Sequence, residues 1–315
     1  MMKKLVVVAL GGNALLRGSE VGTIQQQDKN AHNSFENLEA LFSGDYNLVI
    51  THGNGPQVGN IFLRNDAGYK IYKIPKMPLD ICVADSQGGI GYMLERELQN
   101  VLKQKKVRKN VVTVVTQVLV DKNDPAFQNP TKPVGAFFLK EEAELLMKDH
   151  SWIFKEDAAK RGWRRVVASP YPREILNKKI IKNLAQKGNI VIAGGGGGVP
   201  VYRDENKLLH GIEAVIDKDL ASALMAFEIG ADAIYILTDV PKVYINFKKP
   251  GQKALDAISV EEAEKYLESG EFGEGSMKPK IKAAVEFLKK GGKEVLITEA
   301  SQLKNSDSGT RIILK

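Results

Sequence analysis

The sequence predicts an α/β fold: a three-layer α/β/α sandwich around an open, mainly parallel sheet, with a small lid subdomain inserted into it. Three observations carry that reading. Short β-branched apolar runs recur along the chain, most without polar alternation, as strands do when helices cover both faces of a sheet. Helical patterns with recognisable ends lie between those runs. Glycines, 29 in 315 residues against a typical share of ~7%, gather where the runs end.

The elements follow in order. Residues 5–10 are the first strand, ended by Gly11-Gly12-Asn13. The preceding Lys3-Lys4 imitates a secretory leader, but the glycine pair interrupts the apolar stretch, no small-residue cleavage site follows, and Arg17 comes soon after. Residues 47–51 are the second strand and lead through His52 into Gly53-Asn54-Gly55. A helix follows Asp85 and opens on Gln87-Gly88-Gly89-Ile90-Gly91. These glycines weaken it unless another backbone packs against them, with a ligand as the alternative. Residues 111–120 read as a third strand. Residues 121–165 then break the rhythm, with Pro125, Pro130, Pro133, a short acidic helix and both tryptophans, Trp152 and Trp163. A long excursion with structure of its own reads as a lid.

Residues 189–193 return to the sheet and run into five glycines, 194–198. The run Val215-Ile216-Asp217 ends at Lys218-Asp219, where a helix carrying Leu220, Ala223, Leu224 and Phe227 begins. After the strand at 233–238, Ser259 and Glu262 stand at capping-box spacing. Pro279 can open a helix with Ile281, Val285 and Leu288 on its apolar face and Gly291 closing it. Strands at 294–298 and 311–314 complete the chain, which reads as a single domain over 1–315.

Composition excludes several functions. With 43% hydrophobic and 26% charged residues the chain is globular, not disordered. Cys82 is the lone cysteine, which rules out an internal disulfide and suits a reducing cytoplasm. The net charge of +7 is spread among acidic neighbours, so no basic stripe suggests nucleic acid, and the excess suits small anionic substrates. No run approaches the ~20 apolar residues of a membrane helix. A P-loop is absent, because Gly292-Lys293 is followed by Glu294 and lacks the upstream glycine. The stretch from Gly53 to Gly59 imitates a dinucleotide fingerprint with one residue too many, and the acidic ribose partner is missing from the basic segment 70–78. His32, His52, His150 and His210 form no paired metal motif, and no serine or cysteine has a nucleophile's setting.

The remaining chemistry lies in glycine loops and two lysines. Any one loop reads as a tight turn, whereas several at the carboxyl ends of parallel strands imply a polyanionic ligand. Ordering five consecutive glycines is entropically costly, so residues 194–198 are expected to meet a ligand closely. Lys280 falls in a first helical turn, where a cation is disfavoured unless an anion neutralises it or the side chain snorkels to solvent. Lys218 is flanked by Asp217 and Asp219, a placement that holds an ammonium charged and oriented. Asp219 also reads as a simple helix cap. His52 reads as a hydrogen-bonding residue of its loop.

In Ala9-Leu10-Gly11-Gly12-Asn13-Ala14-Leu15, Thr51-His52-Gly53-Asn54-Gly55-Pro56-Gln57-Val58-Gly59, Asp85 to Tyr92, Ala193 to Val199, Val215 to Asp219 and Gly275 to Lys280, the chain resembles the amino acid kinase superfamily and, closely, its carbamate kinase family. The resemblance spans the chain in order. It implies an α/β/α fold that binds ATP without a P-loop, and reversible phosphoryl transfer between ATP and carbamate giving ADP and carbamoyl phosphate. By the same likeness residues 1–205, with the lid 121–165, hold carbamate or carbamoyl phosphate through Gly11, Gly12, Asn13, Gly53, Asn54 and Gly55. Residues 206–315 hold nucleotide through Thr238, Asp239, Val243, Tyr244, Gly275, Ser276, Met277, Lys278 and Lys280. Lys218 and Lys280 contact the transferring group, Asp219 positions them, and Lys132 reaches in from the lid. Magnesium rides on the nucleotide phosphates without protein ligands. A homodimer is implied, with the uncharged face of residues 90–102 as the candidate contact.

Many superfamily relatives carry a lysine shortly before the first glycine pair, where this chain has Ala9. That difference, the long insertion and His52 to Pro56 favour the carbamate branch over acetylglutamate, aspartate or uridylate kinases. The alternatives are another acid kinase of the superfamily, an NAD(P)-dependent oxidoreductase and a non-catalytic nucleotide sensor.

Overall fold

The computed structural model describes residues 3–17, 20–150, 152–157, 160–273, 276–303, 305 and 308–314. Its first strand, β1 (Lys4–Ala9), shows why the fold has three layers. Leu5, Val7 and Ala9 enter one core while Val6, Val8 and Leu10 enter another. Strand side chains alternate between faces, so an unbroken apolar run must be covered on both sides.

The chain continues through α1 (Ile24–Asn37), α2 (Glu39–Ser43), β2 (Tyr46–Thr51), α3 (Gly55–Tyr72) and α4 (Leu79–Gln104). Its middle forms β3 (Val111–Val114), β4 (Gln117–Val120), β5 (Lys132–Phe138), α5 (Lys140–His150), β6 (Ile153–Glu156), β7 (Trp163–Val167) and β8 (Pro172–Ile175). Next come α6 (Lys178–Gln186), β9 (Ile190–Ala193), β10 (Val199–Arg203), β11 (Leu209–Gly211), α7 (Lys218–Ile229) and β12 (Ala233–Thr238). The chain finishes with β13 (Val243–Ile245), β14 (Lys253–Leu255), β15 (Ala257–Ser259), α8 (Val260–Glu268), α9 (Met277–Lys289), β16 (Glu294–Glu299) and β17 (Thr310–Ile313).

Among the described residues the main sheet is ordered β15-β17-β16-β12-β1-β2-β9-β3, with every pairing parallel except β16 with β17. One face carries α6 to α9 and the other α1, α2 and α4. Ser259 and Glu262 form the expected capping box of α8. No helix among the described residues is long and apolar enough to cross a membrane.

Four expectations change. Residues 111–120 form two strands in different sheets, because Gln87 on α4 takes both backbone groups of Thr116 and lets the chain leave the main sheet there. The helix of residues 90–102 is α4, which starts at Leu79, ahead of Asp85, and its apolar face is spent internally. Ile90, Met93, Leu94, Leu98, Val101 and Leu102 are all buried in the chain's own core and are not offered to a second copy. Of its glycines only Gly91 is packed, against Thr113, while Gly88 and Gly89 face open space. The glycine run has a packing cause: Cβ atoms at Gly195, Gly196, Gly197 and Gly198 would strike His52, Asn54, the Ile216 carbonyl and Val118 at 2.2–2.5 Å. Gly194, Gly196, Gly197 and Gly198 also hold positive φ.

The lid carries the antiparallel sheet β5-β7-β6, which runs on to Val167, two residues beyond the expected boundary. It lies on α3 with almost no intervening side chain, since a methyl at Gly59 would fall 1.9 Å from the Gly135 Cα. Arg165 adds a guanidinium against the paired rings of Phe62, at 4.0 Å, and Trp152, at 4.5 Å. Gly59→Ala is therefore expected to lift the lid at a cost of about 1–3 kcal/mol, read as roughly 5- to 150-fold faster tryptic cleavage within the lid. Unchanged cleavage would show that Gly59 does not seat it.

Candidate active site

The loops after β1 and β2 and the starts of α7 and α9 meet at the carboxyl ends of the parallel strands, where open sheets place ligands. Asp217, not Asp219, caps α7: its Oδ1 accepts from the Asp219 N–H at 2.9 Å and the Leu220 N–H at 3.3 Å. This corrects the reading of Asp219 as a cap. Relieved of that task, Asp219 turns its carboxylate to two lysines. Lys280 Nζ donates to its Oδ2 at 3.2 Å, and Lys218 Nζ lies 3.1 Å from Oδ1. All three side chains are largely buried, Lys218 at 14%, Lys280 at 12% and Asp219 at 5% exposure.

Lys218 is the first residue of α7, and its ammonium donates to the Leu10 carbonyl at 2.8 Å. It thereby reaches the end of β1, next to Ala9. Its stem passes Gly53, where an added Cβ would sit 3.4 Å from the Lys218 Cδ. Lys280 comes from α9, which begins at Met277 instead of Pro279; proline is tolerated at its third position because first-turn N–H groups have no partner within the helix. Lys280 also donates to the Ser276 carbonyl at 3.2 Å.

The electrostatics follow from burial and charge count. Burial opposes ionisation of Asp219, but Lys218 and Lys280 outweigh it and hold the carboxyl well below its usual range. Burial likewise lowers Lys218, helped by Lys280 and resisted by Asp219. Two ammonium groups thus share one carboxylate in a poorly hydrated place, an arrangement that an incoming anion would relieve.

The fourth residue expected to act, Lys132, opens β5 at the lid's base. Its ammonium lies 2.5 Å from Asp217 Oδ2. The sequence marks Asp217 only as a flank of Lys218, although its place before a helical run is also a capping signal.

The glycine positions divide. Gly11 packs against the Leu237 carbonyl, whereas Gly12 and Gly55 border open space. Asn13 lies in the 3-10 turn Gly12–Ala14. Asn54 turns inward, its amide donating to Ser86 Oγ at 2.8 Å. It precedes α3 without capping it by side chain, which leaves first-turn N–H groups for an anion. His52 Nδ1–H donates to the Gly53 carbonyl at 2.9 Å, as expected of a loop residue, and burial pushes its pKa down to about 4.

On the other side, Thr238 ends β12, and with Asp239 just beyond it lines a cavity of about 350 Å³ together with Gly11 and Glu299. Val243 is wholly buried in the core, its N–H donating to Thr310 Oγ1 at 2.8 Å, and Tyr244 stands beside Phe247 at 5.7 Å. Ser276, Met277 and Lys278 form the start of α9. Gly275 lies outside the described residues. Both oxygens of Asp217 accept hydrogen bonds, whereas Asp219 accepts from Lys280 at Oδ2 and faces Lys218 across 3.1 Å at Oδ1, a buried oxygen with no hydrogen-bond partner among the described residues.

The amino acid kinase family matches the chain over residues 4–299. The carbamate kinase of Thermococcus kodakarensis is 48% identical, with 98% of this chain and 99% of that protein covered. Among solved structures, carbamate kinase from Giardia lamblia bound to citric acid superposes with a TM-score of 0.93 at 44% identity. The same enzyme bound to AMP-PNP gives 0.90 at 45%. Both structures cover 99% of each chain.

Proposed function

From the premise that the chain belongs to the amino acid kinase family, we infer that it works as a carbamate kinase, moving a phosphoryl group reversibly between ATP and carbamate to give ADP and carbamoyl phosphate. The observation that carries this is the convergence of Lys218 and Lys280 on Asp219, beside the Leu10 carbonyl and the Gly53 loop. Carbamate is already an anion and needs no general base, so catalysis reduces to alignment and to neutralising charge on the transferring oxygens. Lysine ammonium groups and glycine amides supply both.

In this reading Lys218 and Lys280 touch the phosphoryl group, Asp219 orients them, and Lys132 approaches from the lid. The loops at Gly11, Gly12, Asn13, Gly53, Asn54 and Gly55 take the carbamate side within residues 1–205. Thr238, Asp239, Val243, Tyr244 and residues 275–278, with Lys280, take the nucleotide side within residues 206–315. Magnesium would ride on the nucleotide phosphates and neutralise their charge, while Asp217 and Asp219 already serve lysines. The enzyme acts in the cytoplasm as a homodimer.

The test is ATP formation from ADP, magnesium and carbamoyl phosphate, with acetyl phosphate as a rival donor. Rapid ATP formation that strongly favours carbamoyl phosphate is expected. ATP no faster than the spontaneous-decay blank, from folded protein that binds nucleotide, would remove the assignment.

A further inference from the structure

Asp217 divides its two oxygens between two parts of the molecule. Oδ1 accepts the first N–H groups of α7 and so fixes the turn from which Lys218 and Asp219 project. Oδ2 takes the Lys132 ammonium across 85 positions of sequence. Lys132 opens β5, which pairs with β7 through Lys132 and Val167, so this contact ties the base of the lid to the helix that carries the buried lysine. The pair is mostly shielded, with Lys132 at 28% and Asp217 at 17% exposure.

We propose that Asp217 is a positioning residue for phosphoryl transfer, setting the lid lysine and the Lys218–Asp219 turn relative to each other through one carboxylate. The proposal rests on the function given above. An incoming phosphoryl group would meet Lys132 already aimed from one side and Lys218 from the other, with the orienting cost met during folding instead of during turnover.

The two duties separate by substitution. Asparagine caps a helix as well as aspartate does but carries no charge for Lys132. Asp217→Asn is therefore expected to keep its melting temperature and its KM for ADP while losing about 10- to 100-fold in kcat/KM for carbamoyl phosphate. Asp217→Ala, which loses the cap as well, is expected to melt earlier in addition. In a Lys132→Met background, Asp217→Asn should add nothing further, because the partner is gone. Hydrogen exchange supplies a readout independent of turnover: amides of residues 132–138 should exchange faster in Asp217→Asn than in the unaltered protein. Wild-type kinetics for Asp217→Asn, or a full additional loss in the double variant, would overturn the positioning role. If the unaltered protein makes no ATP, the functional reading fails instead, and lid exchange still decides whether Asp217 tethers Lys132.

Discussion

Lys218→Ala and Lys280→Ala are each expected to slow ATP formation from carbamoyl phosphate by about 10²–10³-fold, the usual cost of deleting one donor to a developing charge. The two lysines are held where such a loss is hard to make good. Their side chains are 14% and 12% exposed, so little water is at hand to replace the missing ammonium. Each variant leaves Asp219 one lysine, and the fold should survive both changes. Arginine should not rescue either position, since a planar fork does not fit where a compact ammonium bridges Asp219 to a backbone carbonyl. Steady-state rates with nucleotide affinity as a control separate chemistry from binding. A loss below about tenfold in both variants would remove the lysines from the transferring group.

Asp219→Asn is expected to damage stability as well as activity. Losing one partner of a buried ion pair typically costs about 3–5 kcal/mol, because the other is left charged and uncompensated, and here two ammonium groups are left. The pH dependence has a definite sign. The Asp219 carboxyl is depressed in the folded state, so its contribution is complete above the ordinary carboxylate range, about pH 4, and fades as pH falls towards the folded value. Lys218 runs the other way: its folded pKa is also lowered, so its burial cost is present at neutral pH and eases as pH rises through that value towards 10.5. Urea unfolding at pH 7 should show the full deficit of Asp219→Asn, and unfolding well below pH 4 a smaller one. A variant within about 1 kcal/mol of the unaltered protein at pH 7 would mean that the lysines do not depend on Asp219.

The sequence by itself determined the layered sheet and most of its strands, because an apolar run without alternation can be satisfied only by cover on both faces, as β1 is. It also determined Lys218 and Lys280 as residues in need of an explanation, since each stands at a helix start where a cation requires a counterion. Only the tertiary structure decided which groups answer which. Thr116 leaves the main sheet because Gln87, 29 positions away, takes its backbone. The glycine run is hemmed in by His52, Asn54, Ile216 and Val118, and the apolar face of α4 is used up by the chain's own core. Asp217 and Asp219 look interchangeable in Asp-Lys-Asp, yet one caps the helix and holds Lys132 while the other joins Lys218 to Lys280. The physical reason is range. Periodicity and helix-end chemistry act over a few neighbours and can be read along the chain, whereas Lys218 to Leu10 closes 208 positions and Lys280 to Asp219 closes 61. Such contacts exist only once the sheet has brought the strand ends together.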